Sequence, residues 1–243
     1  GGAAVESEKP SAPGGSATRP AAARSGEARL YELATKQRLG TDVRKAVFVA
    51  IMGADDYLHA HERIDALKLR KAQRADVVHV LLHCCGAESP FNRFYAHLAE
   101  RVCASHREYR FSFHFALRDV FGGLKEAPLN RAASIAKLLA SLLASGALPV
   151  TVLKLVRWRD VNSQRQVFFW QVCFYELLGG GRAASDDLTA RVASSLLDPA
   201  LSEARDGLLL FFASQLLPTA RASKHAVAPA LGHFHRMLEE QTV

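Results

Sequence analysis

Apolar residues return every three to four positions along most of this chain, and the register restarts at each short polar or glycine-containing break. The segment "TDVRKAVFVAIM" places Val43, Val47 and Ile51 one turn apart, and "DDYLHAHERIDALKL" lines up Tyr57, His61, Ile64 and Leu67. Only "GA" separates the two, so they predict an antiparallel helical hairpin. The segments "QRADVVHVLLHCC" and "SPFNRFYAHLAERVCASH" predict a second pair, with Phe91, Tyr95, Leu98 and Val102 on one face of the latter. Further on, "NRAASIAKLLASLLASG" repeats Ile135, Leu138, Leu139, Leu142 and Leu143, and Gly146 sits where a C-terminal cap belongs. Pro149 opens "PVTVLKLV", "SEARDGLLLFFASQLL" is expected to stop at Pro218, and "APALGHFHRMLEE" adds a last, weaker helix.

Local punctuation agrees with this reading. Thr41, Asp55 or Asp56, and Asp198 followed by Pro199 stand where N-caps and first turns are needed. Two segments are ambiguous: "RFSFHFAL" alternates Phe111, Phe113 and Phe115 as a strand would, and "QVFFWQVCFYELL" suits a buried helix or a buried strand. Both are read as helical. Residues 1–29 hold only Val5 as a large apolar side chain and no aromatic, too little to offset the entropy of ordering, so they are expected to be a disordered tail or linker. A short lead-in helix, "LYELATKQRLG", follows and ends at Gly40.

Composition narrows the class. With 243 residues, 49% of them hydrophobic, the chain can bury a sizeable core. No apolar run is long enough to span a bilayer, and no basic stretch followed by an apolar one marks a secretory signal. The first residue is not Met, as expected for a fragment, a processed product or an incomplete gene model. Four cysteines, two of them adjacent, do not make a disulfide framework and favour a reducing compartment. The net charge of +7 lies upstream of residue 181, a surplus compatible with an anionic partner such as RNA.

The window "HVLLHCCGAESPFNRFYAHLAERVCASH" raises the question of a metal. On a helix, Cys84 and Cys85 fall on the apolar arc, whereas His79 and His83 fall on the polar one, so the four cannot surround one ion. Only Asp76, His79 and His83 share a face at ligand spacing, and they are read as a solvated face. Cys84, Cys85 and Cys103 are read as small core hydrophobes. The "GGGR" at 179–182 lacks the Lys-Ser/Thr of a phosphate loop and reads as a helix terminator, and the "DD" pairs at 55–56 and 186–187 read as N-caps. There is no HExxH, GxSxG or GxGxxG, so no enzyme, cofactor or metal is expected. What remains are two basic clusters: Lys68, Arg70, Lys71 and Arg74 in "KLRKAQR", and Arg157, Trp158, Arg159 and Arg165 in "RWRDVNSQR". Each is either a solvated connection between helices or a phosphate-contacting patch, with Trp158 placed to stack on an exposed base.

The stretches "LATKQRLGTDVRKAVFVAIMGADDYLHAHERIDALKL", "VVHVLLHCCGAESPFNRFYAHLAERVC", "RFSFHFALRDVF" and "SIAKLLASLLASGALPVTVLKLV" resemble the MI domain, also written MA-3, of the initiation factor 4G family. The paired "CC", then N-x-FYA-x-LA, then Cys resemble most the nucleolar members that join a 4G-type middle domain to a C-terminal MI domain. A spliceosomal relative with the same two modules shares part of the motif. His83, Arg93 and Arg118 depart from the usual acidic, proline and aromatic residues of the pattern. The resemblance implies an all-α protein: a tail at 1–29, an MI domain of stacked, HEAT-like antiparallel hairpins at 30–156, and a helical extension at 157–243. It also implies a non-catalytic scaffold in the nucleus and nucleolus, holding pre-rRNA or proteins of the small-subunit precursor. A 4A-type DEAD-box helicase would be a further partner, bound mainly by the upstream middle domain. A splicing or translation-initiation adaptor on such a helicase is the alternative.

Overall fold

The computed structural model describes residues 21–179 and 186–240, and among these there are helices and no strands. The helices are α1 (Ala21–Lys36), α2 (Asp42–Met52), α3 (Tyr57–Ala66), α4 (Arg74–Ala87), α5 (Phe94–Ser105) and α6 (Arg107–Gly122). They continue with α7 (Leu129–Ala144), α8 (Gln164–Gly179), α9 (Asp186–Leu196), α10 (Ser202–Phe211), α11 (Leu217–Ala222) and α12 (Ala228–Glu240). Both ambiguous aromatic segments are helical, as α6 and α8.

The expected caps form. Thr41 Oγ1 accepts the Arg44 N–H at 3.1 Å, Asp56 Oδ1 the His59 N–H at 2.8 Å, and Asp198 Oδ1 the Ala200 N–H at 2.8 Å. Gly146 follows the end of α7 at φ 73°, a left-handed conformation that glycine adopts without strain. The helix α8 ends at Gly179; residues 180–182 of "GGGR" and the side chains of Asp186 and Asp187 lie outside the described residues.

The hairpins stack in register. α2 lies on α4 and α3 on α5, while α4 also packs on α6 and α7. This is the HEAT-like arrangement, in which each amphipathic pair buries its apolar stripe against the next. The core is continuous from Ala34 to Leu238.

The turn after the paired cysteines shows why that motif has its spacing. Glu88 Oε1 accepts the Tyr95 hydroxyl at 2.5 Å, and Glu88 Oε2 accepts Asn92 Nδ2–H at 3.1 Å, so the Asn and Tyr of N-x-FYA clamp the α4–α5 loop. Ser134 Oγ on α7 donates to the Glu88 carbonyl at 3.0 Å and ties the loop to the stack. Cys84, Cys85 and Cys103 point into the core, as does Cys173. Burial pushes the thiols of Cys84, Cys85 and Cys103 up to about 12, and that of Cys173 up as well.

Two expectations are corrected. The lead-in helix begins at Ala21, not Leu30, so part of the expected tail is ordered; residues 1–20 lie outside the described residues. Alanine-rich sequence favours helix, and Arg63 of α3 holds the added turns by pairing with Glu27 at 3.0 Å. Its second nitrogen donates to the Gly53 carbonyl at 2.6 Å. At the other end, Pro218 does not stop the helix, which runs on to Ala222. Residues Phe212–Leu216 form a π-turn in which the Leu217 N–H donates to the Phe212 carbonyl five residues back. Displacing the ladder there makes room for the proline ring, which then occupies the first turn of α11.

Two glycines test this packing. A Cβ at Gly207 of α10 would lie 2.7 Å from the Trp158 Cβ, whereas one at Gly232 of α12 would meet nothing within 4 Å. Gly207→Ala is expected to cost about 1–3 kcal/mol by overpacking, and Gly232→Ala to add roughly 0.5–1 kcal/mol through helix propensity. Urea melting midpoints of the two variants check both signs. The native chain is also expected to leave its thiols unmodified by Ellman's reagent at neutral pH and to react fully once denatured, which a spectrophotometric titration reads directly.

Candidate nucleic-acid interface

The first basic cluster sits on the connection from α3 to α4. Lys68 turns the chain at φ 48°, and its N–H donates to the Asp65 carbonyl at 3.0 Å. Arg70 is extended and caps a short 3-10 turn, Lys71–Gln73, by donating its N–H to Gln73 Oε1 at 3.0 Å. These local bonds place Lys68, Arg70 and Lys71 outward, and all three are exposed.

Arg74 behaves differently. Its side chain is only 16% exposed, Nη1 lies 3.1 Å from Glu108 Oε2, and the guanidinium sits 5.9 Å above the Tyr109 ring. It pins α4 to the start of α6. Lys71 reaches the same carboxylate from outside, with Nζ 3.8 Å from Glu108 Oε1 and the side chain 82% exposed. The Glu108 carboxyl is held below the usual range, first by its own backbone N–H and then by the Arg74 and Lys71 charges. Arg74 is therefore a structural cation, and Lys68, Arg70 and Lys71 are the members of the cluster that face solvent.

The second cluster is split more sharply. Arg157 precedes a 3-10 turn, Trp158–Asp160, and Arg159 lies within it; both are exposed. Between them Trp158 is buried, with its Nε1–H donating to the Leu153 carbonyl at 3.2 Å. Its ring packs on Trp170 at 4.7 Å and Phe211 at 5.6 Å. The expectation that Trp158 stacks on a base is thus wrong: a two-ring side chain gains more by filling the core than by waiting at the surface. Arg165 donates Nη1–H to the Ala127 carbonyl at 2.8 Å, bracing the loop before α7 while remaining exposed. Arg157 and Arg159 border a cleft of about 590 Å³ against α10, where Lys154 adds charge and Asp160 and Glu203 oppose it. Among the described residues, no hydrogen bond or ion pair joins the two clusters; one leans on α6, the other on α8 and α10.

Among the described residues no three His, Cys, Asp or Glu side chains converge, and the members of the histidine and aspartate face have separate surroundings. Asp76 is held 2.6 Å from Arg44 Nε of α2. His79 is exposed, but His83 is not solvated as expected. It is half-buried, with Nε2 2.7 Å from Gln37 Oε1, and burial followed by the Arg131 charge lowers its proton affinity.

Residues 43–149 match the MA3 domain family.

The chain carries an MA3 domain. Its matched span runs from the start of α2 to just beyond α7, and Lys68, Arg70 and Lys71 lie inside it, whereas Arg157, Arg159 and Arg165 lie in the segment that follows. The mouse protein "Nucleolar MIF4G domain-containing protein 1" is 34% identical over 203 residues, 84% of this chain and 23% of that protein. "Suppressor of glycerol defect protein 1" of Schizosaccharomyces pombe is 35% identical over 168 residues, 66% of this chain and 21% of its own length. The human "Pre-mRNA-splicing factor CWC22 homolog" is 24% identical over 162 residues, 64% of this chain and 17% of that protein. The chain thus spans less than a quarter of the length of the curated relatives it matches.

The signal missed in the sequence is Glu108, which decides that Arg74 is internal. It lies 34 residues from Arg74, and no local pattern links them. Arg74→Ala is expected to lower stability by about 1–3 kcal/mol, the range for a charged, partly buried hydrogen bond. Lys71→Ala should change it by less than about 0.5 kcal/mol, and guanidinium denaturation of both MA3 variants checks the contrast.

Proposed function

We propose that this chain is a non-catalytic protein and RNA scaffold in nucleolar small-subunit ribosome biogenesis, acting in pre-rRNA processing as part of a longer protein. The observation that carries the reading is the match to the nucleolar relative, 34% identical across 84% of this chain, which extends well beyond the MA3 domain. The fold supports it. A continuous helical core with inert thiols offers surfaces for binding, and the exposed Lys68, Arg70 and Lys71 suit phosphate groups. Among the described residues no helix is long and apolar enough to cross a membrane.

A spliceosomal role has the lower identity of 24% over 64% of the chain as its support. Docking on a 4A-type DEAD-box helicase belongs, in this reading, mainly to a middle domain upstream of the chain. Depletion of the full-length protein is expected to accumulate early precursors of the small-subunit rRNA, read by northern hybridisation. Unchanged pre-rRNA with altered splicing would instead select the spliceosomal role. In vitro, RNA affinity of the chain should fall steeply with salt, and charge reversal at Lys71 should flatten the dependence by about one counterion. A flat salt dependence for the unaltered chain would remove the basic turn from the interface.

A further inference from the structure

The outer face of α6 alternates aromatic and cationic side chains. The helix packs on α4, α5 and the 3-10 segment Val150–Leu155 through Tyr109, Phe113, Ala116, Leu117 and Phe121. The opposite side presents Phe111, 61% exposed, and Phe115, 56% exposed, one turn apart. Arg107 stands one turn before Phe111, and the Arg118 guanidinium lies 5.5 Å over the Phe115 ring. Arg110 and His114 flank the rings; Arg110 Nε–H donates to the Cys103 carbonyl at 3.3 Å, which fixes it beside the stripe. The acidic groups nearby are already engaged: Glu108 by Arg74 and Lys71, and Asp119 by Arg118 at 3.7 Å.

We propose that this face of α6 binds single-stranded RNA, with Phe111 and Phe115 as stacking platforms and Arg107, Arg110 and Arg118 contacting phosphates. The inference rests on the reading that the basic turn at Lys68–Lys71 binds RNA, and it adds a second, chemically distinct element to that surface. The two are adjacent, because Lys71 Nζ lies 3.8 Å from Glu108 in the first turn of α6. Four residues of helix advance about 6 Å, so the rings are offset along a track that starts at the basic turn.

The pattern favours a nucleic acid over an apolar protein helix. An apolar helix docks on a broad apolar strip, whereas here Arg107 and Arg118 bracket the two rings and Arg110 and His114 flank them, so an apolar partner would cover cations that it cannot pair. A single strand supplies base faces for the rings and phosphates for the cations. A duplex supplies phosphates and groove edges but no free base faces, since its bases are stacked on one another.

The test is fluorescence anisotropy of the whole chain with a labelled oligouridylate. The exposed positions of Phe111 and Phe115 allow substitution without disturbing the core, which circular dichroism confirms for each variant. Replacing both Phe111→Ala and Phe115→Ala is expected to weaken binding about fivefold or more per ring, with the salt dependence unchanged. Phe111→Trp with Phe115→Trp should retain affinity, and a duplex RNA of equal length should bind all variants alike. Unchanged affinity in the alanine variant, with Lys71→Glu still weakening binding, overturns this inference, leaves the basic turn standing and assigns the face to a protein. Full affinity in a double Leu variant, or an equal loss on duplex RNA, also overturns it, since neither is stacking. Failure of the unaltered chain to bind any RNA overturns both readings.

Discussion

Everything C-terminal of the hairpin stack hangs on the seam of buried side chains between α7 and α8, the most extensive helix pair of the fold. α7 is buried around most of its circumference, because it faces α4 and α5 on one side and α8 on the other. From α8 come Phe169, Trp170, Cys173, Phe174, Leu177 and Leu178, all within the core. Each large apolar side chain so buried contributes about 2–3 kcal/mol, and Trp158 caps the end of the seam by touching Trp170, Phe174 and Phe211 at once. Gly207 is a glycine because α10 must come close enough to cover that indole. The helices that follow the matched MA3 span are thereby continuous with it through shared hydrophobic surface.

The chemistry-rich window follows from the same demand. Its cysteines are small apolar fillers with raised proton affinity, and its Asn92 and Tyr95 serve a loop clamp on Glu88 that α7 secures through Ser134. A motif that invites a metal reading is explained by backbone geometry and packing. Its bonds tie the α4–α5 connection to α7 and so fix how these helices sit against one another.

Charge divides in a corresponding way. Arg44, Arg63, Arg74 and Arg165 spend their guanidinium donors on Asp76, Glu27, Glu108 and the Ala127 carbonyl, bracing helices and loops against one another. Arginine suits this task because its planar fork bonds in a fixed direction. Of the cations left facing solvent, Lys68, Arg70, Lys71, Arg157 and Arg159 lie on connections between helices, where the backbone has already turned outward, while Arg107, Arg110 and Arg118 stand on the outer face of α6. The charge this basic chain presents to solvent is therefore what remains after the internal pairs are subtracted.

Helical class, hairpin order, caps at Thr41, Asp56 and Asp198 and the inward cysteines were legible because each is decided within a turn or two, by the 3.6-residue period and by bonds spanning a few residues. The same period resolves "RFSFHFAL": in a helix Phe113 turns inward while Phe111 and Phe115 face out, whereas a strand would have kept all three together. Tertiary structure alone decided the rest. Ala21 is helical because Arg63 reaches back to Glu27, Pro218 is tolerated because a π-turn precedes it, and Trp158 is buried because Trp170 and Phe211 close over it. The fate of Arg74 turns on Glu108, 34 residues away. Local pattern specifies which side of an element is apolar, but whether a polar or aromatic side chain is consumed or offered depends on a partner that only folding brings within reach.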